Sequence, residues 1–266
     1  VPVTADQSTA LTYSSYLALD EVLAAQRPLT DKHDEVLFIV VHQVHELWFK
    51  ELLHELARLQ EELSGGDSVH ALQTLRRALA VLRAVIAQID VIETMTPTQF
   101  AAFRPELGGS SGFQSAQFRE IEAVLGRRDP RTAQTFAEGS PERARIEAAM
   151  NRPSLLDSFL RYLATQGYPV PPELLGRDVT RPAEPSERLR AVLLAACRDG
   201  GFAARIFEQL LSLDEDVQEW RYRHVKMVER IIGHRPGTGG SSGAPYLYRT
   251  ISAPAFPDLW AVRDGL

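Results

Sequence analysis

The sequence predicts an all-α protein: one helical-bundle domain, residues 1–266, built from long antiparallel helices. Three observations carry this. Apolar residues recur at spacings of three and four over stretches long enough only for helices. No run shows the alternation of a half-buried strand. Residues 214–232 contain neither Pro nor Gly, so the last long helix has nothing to break it. With 44% hydrophobic residues in a chain of 266, there is enough apolar side chain for a sizeable core.

Composition excludes several classes. The net charge is −6, and no stretch concentrates Lys and Arg apart from acids, so no nucleic-acid surface is expected. The single cysteine, Cys197, excludes an internal disulfide framework and a cysteine metal cluster, and it fits a reducing cytoplasm. The opening VPVTADQSTALTYSS lacks a basic start followed by an apolar run, so no signal peptide is expected. No stretch reaches the roughly 18 apolar residues of a membrane span. The expectation is a cytoplasmic protein without a membrane partner.

Taken in order, residues 13–26 read as one short helix with Tyr13, Tyr16 and Leu17 on one side, ended near Pro28. Residues 34–63 form a long helix with two stripes, one through Leu37, Val41, Val44, Trp48, Leu52, Leu56 and Leu59. The other runs Phe38, His42, His45, Phe49 and Leu53, which implies burial on more than one side in the first half. His54 and Glu55 belong to the polar half and are expected at the surface. After the turn at Ser64-Gly65-Gly66-Asp67, residues 69–95 form a third helix. Thr96-Pro97 then supplies an N-cap and a first-turn proline for a segment carrying Phe100, Phe103, Arg104 and Leu107. Beyond the Gly108–Gly112 loop a helix resumes through Phe118, Ile121 and Leu125. Residues 127–185 read as a smaller helical excursion, with short helices at 141–150 and 154–165 and five prolines from 167 to 185. Residues 188–212 return to helix, divided at Gly200-Gly201, and residues 246–266 pack as a short tail.

The chemistry-bearing residues cluster around the last helix and two glycine-rich loops. Val217, Trp220, His224, Met227 and Ile231 form one stripe, so His224 stands on an apolar face. A neutral imidazole there suits a haem iron; a core histidine bonded to a carbonyl is the alternative. His42 and His45 are i, i+3 neighbours, a weak metal signal, because zinc proteases use i, i+4 with Glu between. His42, beside Phe38, suits one hydrogen bond to a polar atom of an otherwise apolar ligand. Arg104 follows Phe100 and Phe103, and its fork fits a carboxylate, whether a ligand's or a structural acid's. Gly108–Gly112 and Gly239–Gly243 match Gly-x-Ser-x-Gly literally, but a helix rather than a strand precedes each, against a hydrolase nucleophile. Both also lack the Gly-Lys-Ser/Thr ending of a phosphate loop. One arginine, one pocket histidine, one apolar-face histidine and aromatics together suit a flat aromatic amino acid above a haem.

Five blocks then carry a resemblance over nearly the whole chain: YSSYLALDEVLAAQ, HDEVLFIVVHQVHELWFKELLHEL, FRPELGGSSGFQSAQFREIE, RYRHVKMVERIIGHRPGTGGSSGAPYL and FPDLWAVR. In this order they resemble the tryptophan 2,3-dioxygenase family. The resemblance implies a helical protein holding haem b between helices, usually a homotetramer, with O2 as co-substrate and L-tryptophan cleaved at the indole C2–C3 bond to N-formylkynurenine. It further implies His224 in RYRH as the axial ligand of the haem iron. His42 in FIVVHQ matches the catalytic histidine that meets the indole N–H, and Phe38 the wall beside it. Arg104 in FRPEL matches the substrate carboxylate's partner, and Thr238 in GTGG the residue at the ammonium or carboxylate end. Phe100, Leu107 and Ser111 match other substrate-binding positions. Tyr13, Tyr16 and Leu17 match an arm, within residues 1–30, that family members lend to the adjacent subunit.

Departures from the family pattern lie near the pocket: His45 in place of a smaller or hydroxyl-bearing residue, Pro105 after the arginine, and Gly109 before Ser-Ser-Gly. They leave open a substituted tryptophan as substrate and a monooxygenase outcome giving an oxindole. A non-catalytic haem or indole sensor on the same scaffold is a third reading, opposed by the joint presence of His224, His42, Arg104 and Thr238.

Overall fold

The computed structural model describes residues 11–233, 235, 248, 251 and 253–265. Among them the elements are α1 (Tyr13–Tyr16), α2 (Leu19–Leu23), α3 (His33–Ser64), α4 (Ser68–Ala87), α5 (Ile89–Ile92), α6 (Pro97–Phe103) and α7 (Ala116–Val124). The excursion supplies α8 (Pro130–Gln134), α9 (Pro141–Met150), α10 (Leu155–Thr165) and α11 (Pro172–Leu175). Then come α12 (Glu187–Asp199), α13 (Phe202–Ile232) and α14 (Pro257–Ala261). No strand occurs among the described residues. None of their helices is long and apolar enough to cross a membrane.

The frame is α3, α4 and α13, with α10 closing it. Leu52, Leu56, Leu59 and Leu63 of α3 meet Leu75, Ala78 and Leu82 of α4 and Phe207, Leu210 and Leu211 of α13. Phe159, Tyr162 and Leu163 of α10 complete the same core. Each fully buried side chain of this size stabilises the fold by about 1.5–3 kcal/mol before its ordering cost. The α3–α4 turn depends on Gly66 at φ +78°, and a Cβ there would stand 3.1 Å from the Thr165 hydroxyl of α10. Asp67 caps α4 by accepting from the His70 amide. Thr96 and Gln99 form the capping box that starts α6, with Pro97 in its first turn.

Gly200, at φ +65°, ends α12 as the sequence leads one to expect. Beyond it α13 runs 31 residues, joining the two segments read separately in the sequence. Its middle is pinned by Asp214. This fully buried carboxylate accepts from the Ala255 amide at 2.9 Å, the Phe256 amide at 3.0 Å and Trp260 Nε1 at 2.9 Å. That docks the tail, where Phe256 and Leu259 are buried.

Four sequence expectations need correction. The helix at 13–26 is two single turns, because Ala18 adopts φ 49° between them, a left-handed conformation that costs an alanine roughly 1–2 kcal/mol. The helix at 69–95 tightens at Gln88 and divides into α4 and the one-turn α5. Glu55 is buried rather than exposed, because Arg77 of α4 donates to its carboxylate at 3.0 Å across the helix pair; His54 is exposed. The first half of α3 is the less buried half, with Val36, Val40 and Leu47 exposed on the face away from α4.

Candidate active site

One end of the bundle opens into a cavity of about 230 Å³ between α3, α6, α7, α13 and the loop after α6. Phe38, His42, Phe100, Arg104, Leu107, Ser111 and His224 all line it. The sequence therefore placed seven of its candidates in one space, although they span 187 positions from Phe38 to Ser111 and His224. Thr238 lies outside the described residues. Tyr13, Tyr16 and Leu17 do not line the cavity in a single chain; they are 75%, 72% and 40% exposed on the N-terminal arm.

The α3 wall is set by helix geometry. His42 donates from Nδ1 to the Phe38 carbonyl at 2.7 Å, one turn back, which fixes the tautomer and leaves Nε2 as an acceptor. Burial pushes its pKa down, so the ring is neutral. The Phe38 ring lies 4.2 Å from the His42 ring, and Phe100 and Phe103 stand 5.7 and 5.6 Å from Phe38. His45 makes the same backward bond to the Val41 carbonyl at 2.7 Å, and burial lowers its pKa too.

On the facing wall, His224 stacks on Trp220 with ring centroids 5.1 Å apart and planes 6° from parallel. Trp220 in turn rests on Phe118 at 4.4 Å. Among the described residues neither nitrogen of His224 has a hydrogen-bond partner, which removes the reading of a core histidine held by a carbonyl. Burial pushes its pKa down to about 4.

That shift carries a pH signature in folding stability. An unfolded imidazole takes up its proton near pH 6.5, the folded His224 only near about 4. Between these values the unfolded chain binds more protons, so stability is lost as pH falls and stops changing below about 4. His224 alone accounts for roughly 2 kcal/mol between about pH 7.5 and 5. Urea midpoints at the two pH values should show a smaller acid loss in His224→Phe than in the parent; equal losses refute the assignment.

The sequence reading missed a charged wall on α7 and α13. Glu122 accepts from Arg119 Nη1 at 2.6 Å, Arg127 Nη1 at 2.9 Å and Arg221 Nη2 at 3.0 Å. Arg119, Glu122 and Arg221 line the cavity beside Trp220. The available signal was the i, i+3 pair Arg119–Glu122 on a face otherwise carrying Phe118 and Ile121. Among the described residues, the buried N–H groups at Arg119 Nε and Trp220 Nε1 meet no acceptor.

The cavity thus brings together three neutral imidazoles, His42 and His45 on α3 and His224 on α13, with Arg104, aromatic faces and the buried donors of Arg119 and Trp220. The tryptophan 2,3-dioxygenase family pattern matches residues 2–167 and 192–266, leaving out only the end of the excursion and the start of α12. The chain is 62% identical over 264 residues to the tryptophan 2,3-dioxygenase of Anaeromyxobacter dehalogenans, covering 97% of each chain. It is 61% identical over 259 residues to that of Anaeromyxobacter sp. strain K, again with 97% of each covered. For that of Herpetosiphon aurantiacus the identity is 53% over 261 residues, covering 97% of this chain and 100% of the relative. On this agreement over nearly its whole length, the chain belongs to the tryptophan 2,3-dioxygenase family.

Proposed function

We propose that this chain is a haem-dependent dioxygenase that adds both atoms of O2 across the indole C2–C3 bond of L-tryptophan, cleaving it to N-formylkynurenine. The observation that carries the reading is the meeting in one cavity of neutral, unbonded His224 with His42, Phe38 and Arg104. It agrees with the name its relatives bear.

The residues present fit a haem. His224 offers a neutral imidazole from an apolar wall, as an axial ligand requires. Arg119 Nε and Trp220 Nε1 are buried donors that two propionates would satisfy. Among the described residues no group of three or more His, Cys, Asp or Glu could hold a bare ion, so the donor set suits an iron already carried by a porphyrin. When bound, ferrous haem supplies the activation of O2, which does not react readily with an indole.

The chain's own residues then bind and orient. Arg104 grips the substrate carboxylate through its fork, and Thr238 contacts the ammonium or carboxylate end. His42 Nε2 accepts from the indole N–H; it needs no proton transfer, because one fixed hydrogen bond and one fixed ion pair define the pose of a rigid ring. Phe38 and Phe100 flank that ring, with Leu107 and Ser111 closing the sides. Tyr13, Tyr16 and Leu17 are exposed here because they serve a neighbouring copy's pocket in a homotetramer. The uncovered Val36, Val40 and Leu47 belong to the same assembly surface.

The test is product mass after reduced, haem-loaded protein receives L-tryptophan and isotopically labelled O2. Two labelled atoms in a ring-opened product are expected. One labelled atom moves the reading to monooxygenation, and none overturns it.

A further inference from the structure

We infer that Glu122 is a positioning residue that ties the substrate-facing loop of the pocket to the helix carrying His224. The inference rests on the proposed function for its kinetic consequence, but not for its structural one. Glu122 is 4% exposed and receives three guanidiniums, so its carboxylate is the shared counter-ion of Arg119 and Arg221, which are 9% and 8% exposed. Burial pushes the Glu122 pKa up, but the three guanidiniums outweigh it and hold the group ionised.

Each buried arginine leads to a different side of the site. Arg119 lays its guanidinium 4.6 Å from the centre of the Phe113 ring. Phe113 lies two residues past Ser111 and donates its amide to the Ser111 hydroxyl at 3.3 Å, so this arm ends on the loop after Arg104. Arg221 sits on α13 next to Trp220 and three residues before His224, and Nη1 donates to the Ala253 carbonyl of the tail at 3.1 Å. One carboxylate therefore links loop, α7, α13 and tail. Without its charge, the two buried guanidiniums lose the acid they share, and the link between them with it. Arg127, with a third of its side chain exposed, is a third cation on the same carboxylate and sits at its solvent-facing edge.

The experiment compares Glu122→Gln with the parent, using Glu122→Asp as the conservative control. Hydrogen exchange on the haem-free proteins comes first. Glu122→Gln should exchange about tenfold faster or more in both residues 108–115 and 218–228, leaving α12 unchanged, with Glu122→Asp between the two. Faster exchange confined to α7, or in only one of the two segments, overturns the inference. On the haem-loaded proteins, the KM for L-tryptophan should rise about tenfold, and the Soret maximum should shift, because loop and axial-ligand helix move together. Parental KM and Soret position in Glu122→Gln also overturn it. Should Glu122→Gln fail to fold, Arg119→Lys keeps the charge but loses the fork, and the same paired exchange response is required of it. A parent that binds no haem defeats the proposed function, while hydrogen exchange still decides the role of Glu122.

Discussion

Alanine at position 224 should leave the protein folded and unable to retain haem. The imidazole has no hydrogen-bond partner among the described residues, so its removal orphans no donor or acceptor. Its main protein contact is the parallel stack on Trp220, which remains held by Phe118 and Phe49 at 4.4 and 6.1 Å. The fold should therefore lose little. Haem binding should lose much more: groups that merely orient a metal ligand are worth about 10–100-fold in affinity, and losing the ligand itself exceeds that. At equal protein concentration the Soret absorbance of His224→Ala should drop to about a tenth of the parent's or less. Added imidazole should restore part of it, because a free ligand can enter the space left by the side chain. That rescue separates loss of a ligand from loss of structure. A parental Soret band in the variant would overturn the assignment.

How far the sequence reaches depends on whether a feature is local. The long helices were legible because their apolar spacing is continuous, and the Gly200 boundary because glycine alone takes φ +65° without cost. His224, His42 and Arg104 were legible by residue type and by the blocks they sit in. The Ala18 bend was not, since alanine is the best helix former and nothing in its neighbours announces a left-handed residue. Burial of Glu55 was hidden for another reason: its partner Arg77 is 22 positions away on the next helix. The link from Glu122 to Arg221 spans 99 positions, and periodicity has no means of expressing it. Val36, Val40 and Leu47 show the opposite failure. Apolar periodicity reports that a face avoids water, not whether this chain or another copy covers it.

Replacing Arg104 by alanine should raise the KM for L-tryptophan about a hundredfold, with a smaller fall in kcat. Arg104 caps α6 and opens the short turn Arg104–Leu107, where Pro105 fixes the backbone torsion just after it. Its side chain is thus delivered from a stiff corner rather than a mobile loop, which reduces the ordering cost of gripping a carboxylate. Removing the guanidinium leaves that carboxylate desolvated and unpaired, a loss of about 3 kcal/mol. His42 and the aromatic wall still hold the indole, so the ring of a bound substrate stays near its pose and kcat changes less than KM. The deciding control is tryptamine, which has the ring and amine but no carboxylate. Parent and Arg104→Ala should bind it with equal affinity, so that the protein and ligand deletions fail to add. If the variant instead binds L-tryptophan as tightly as the parent, or loses tryptamine by the same factor, Arg104 is not the carboxylate's partner.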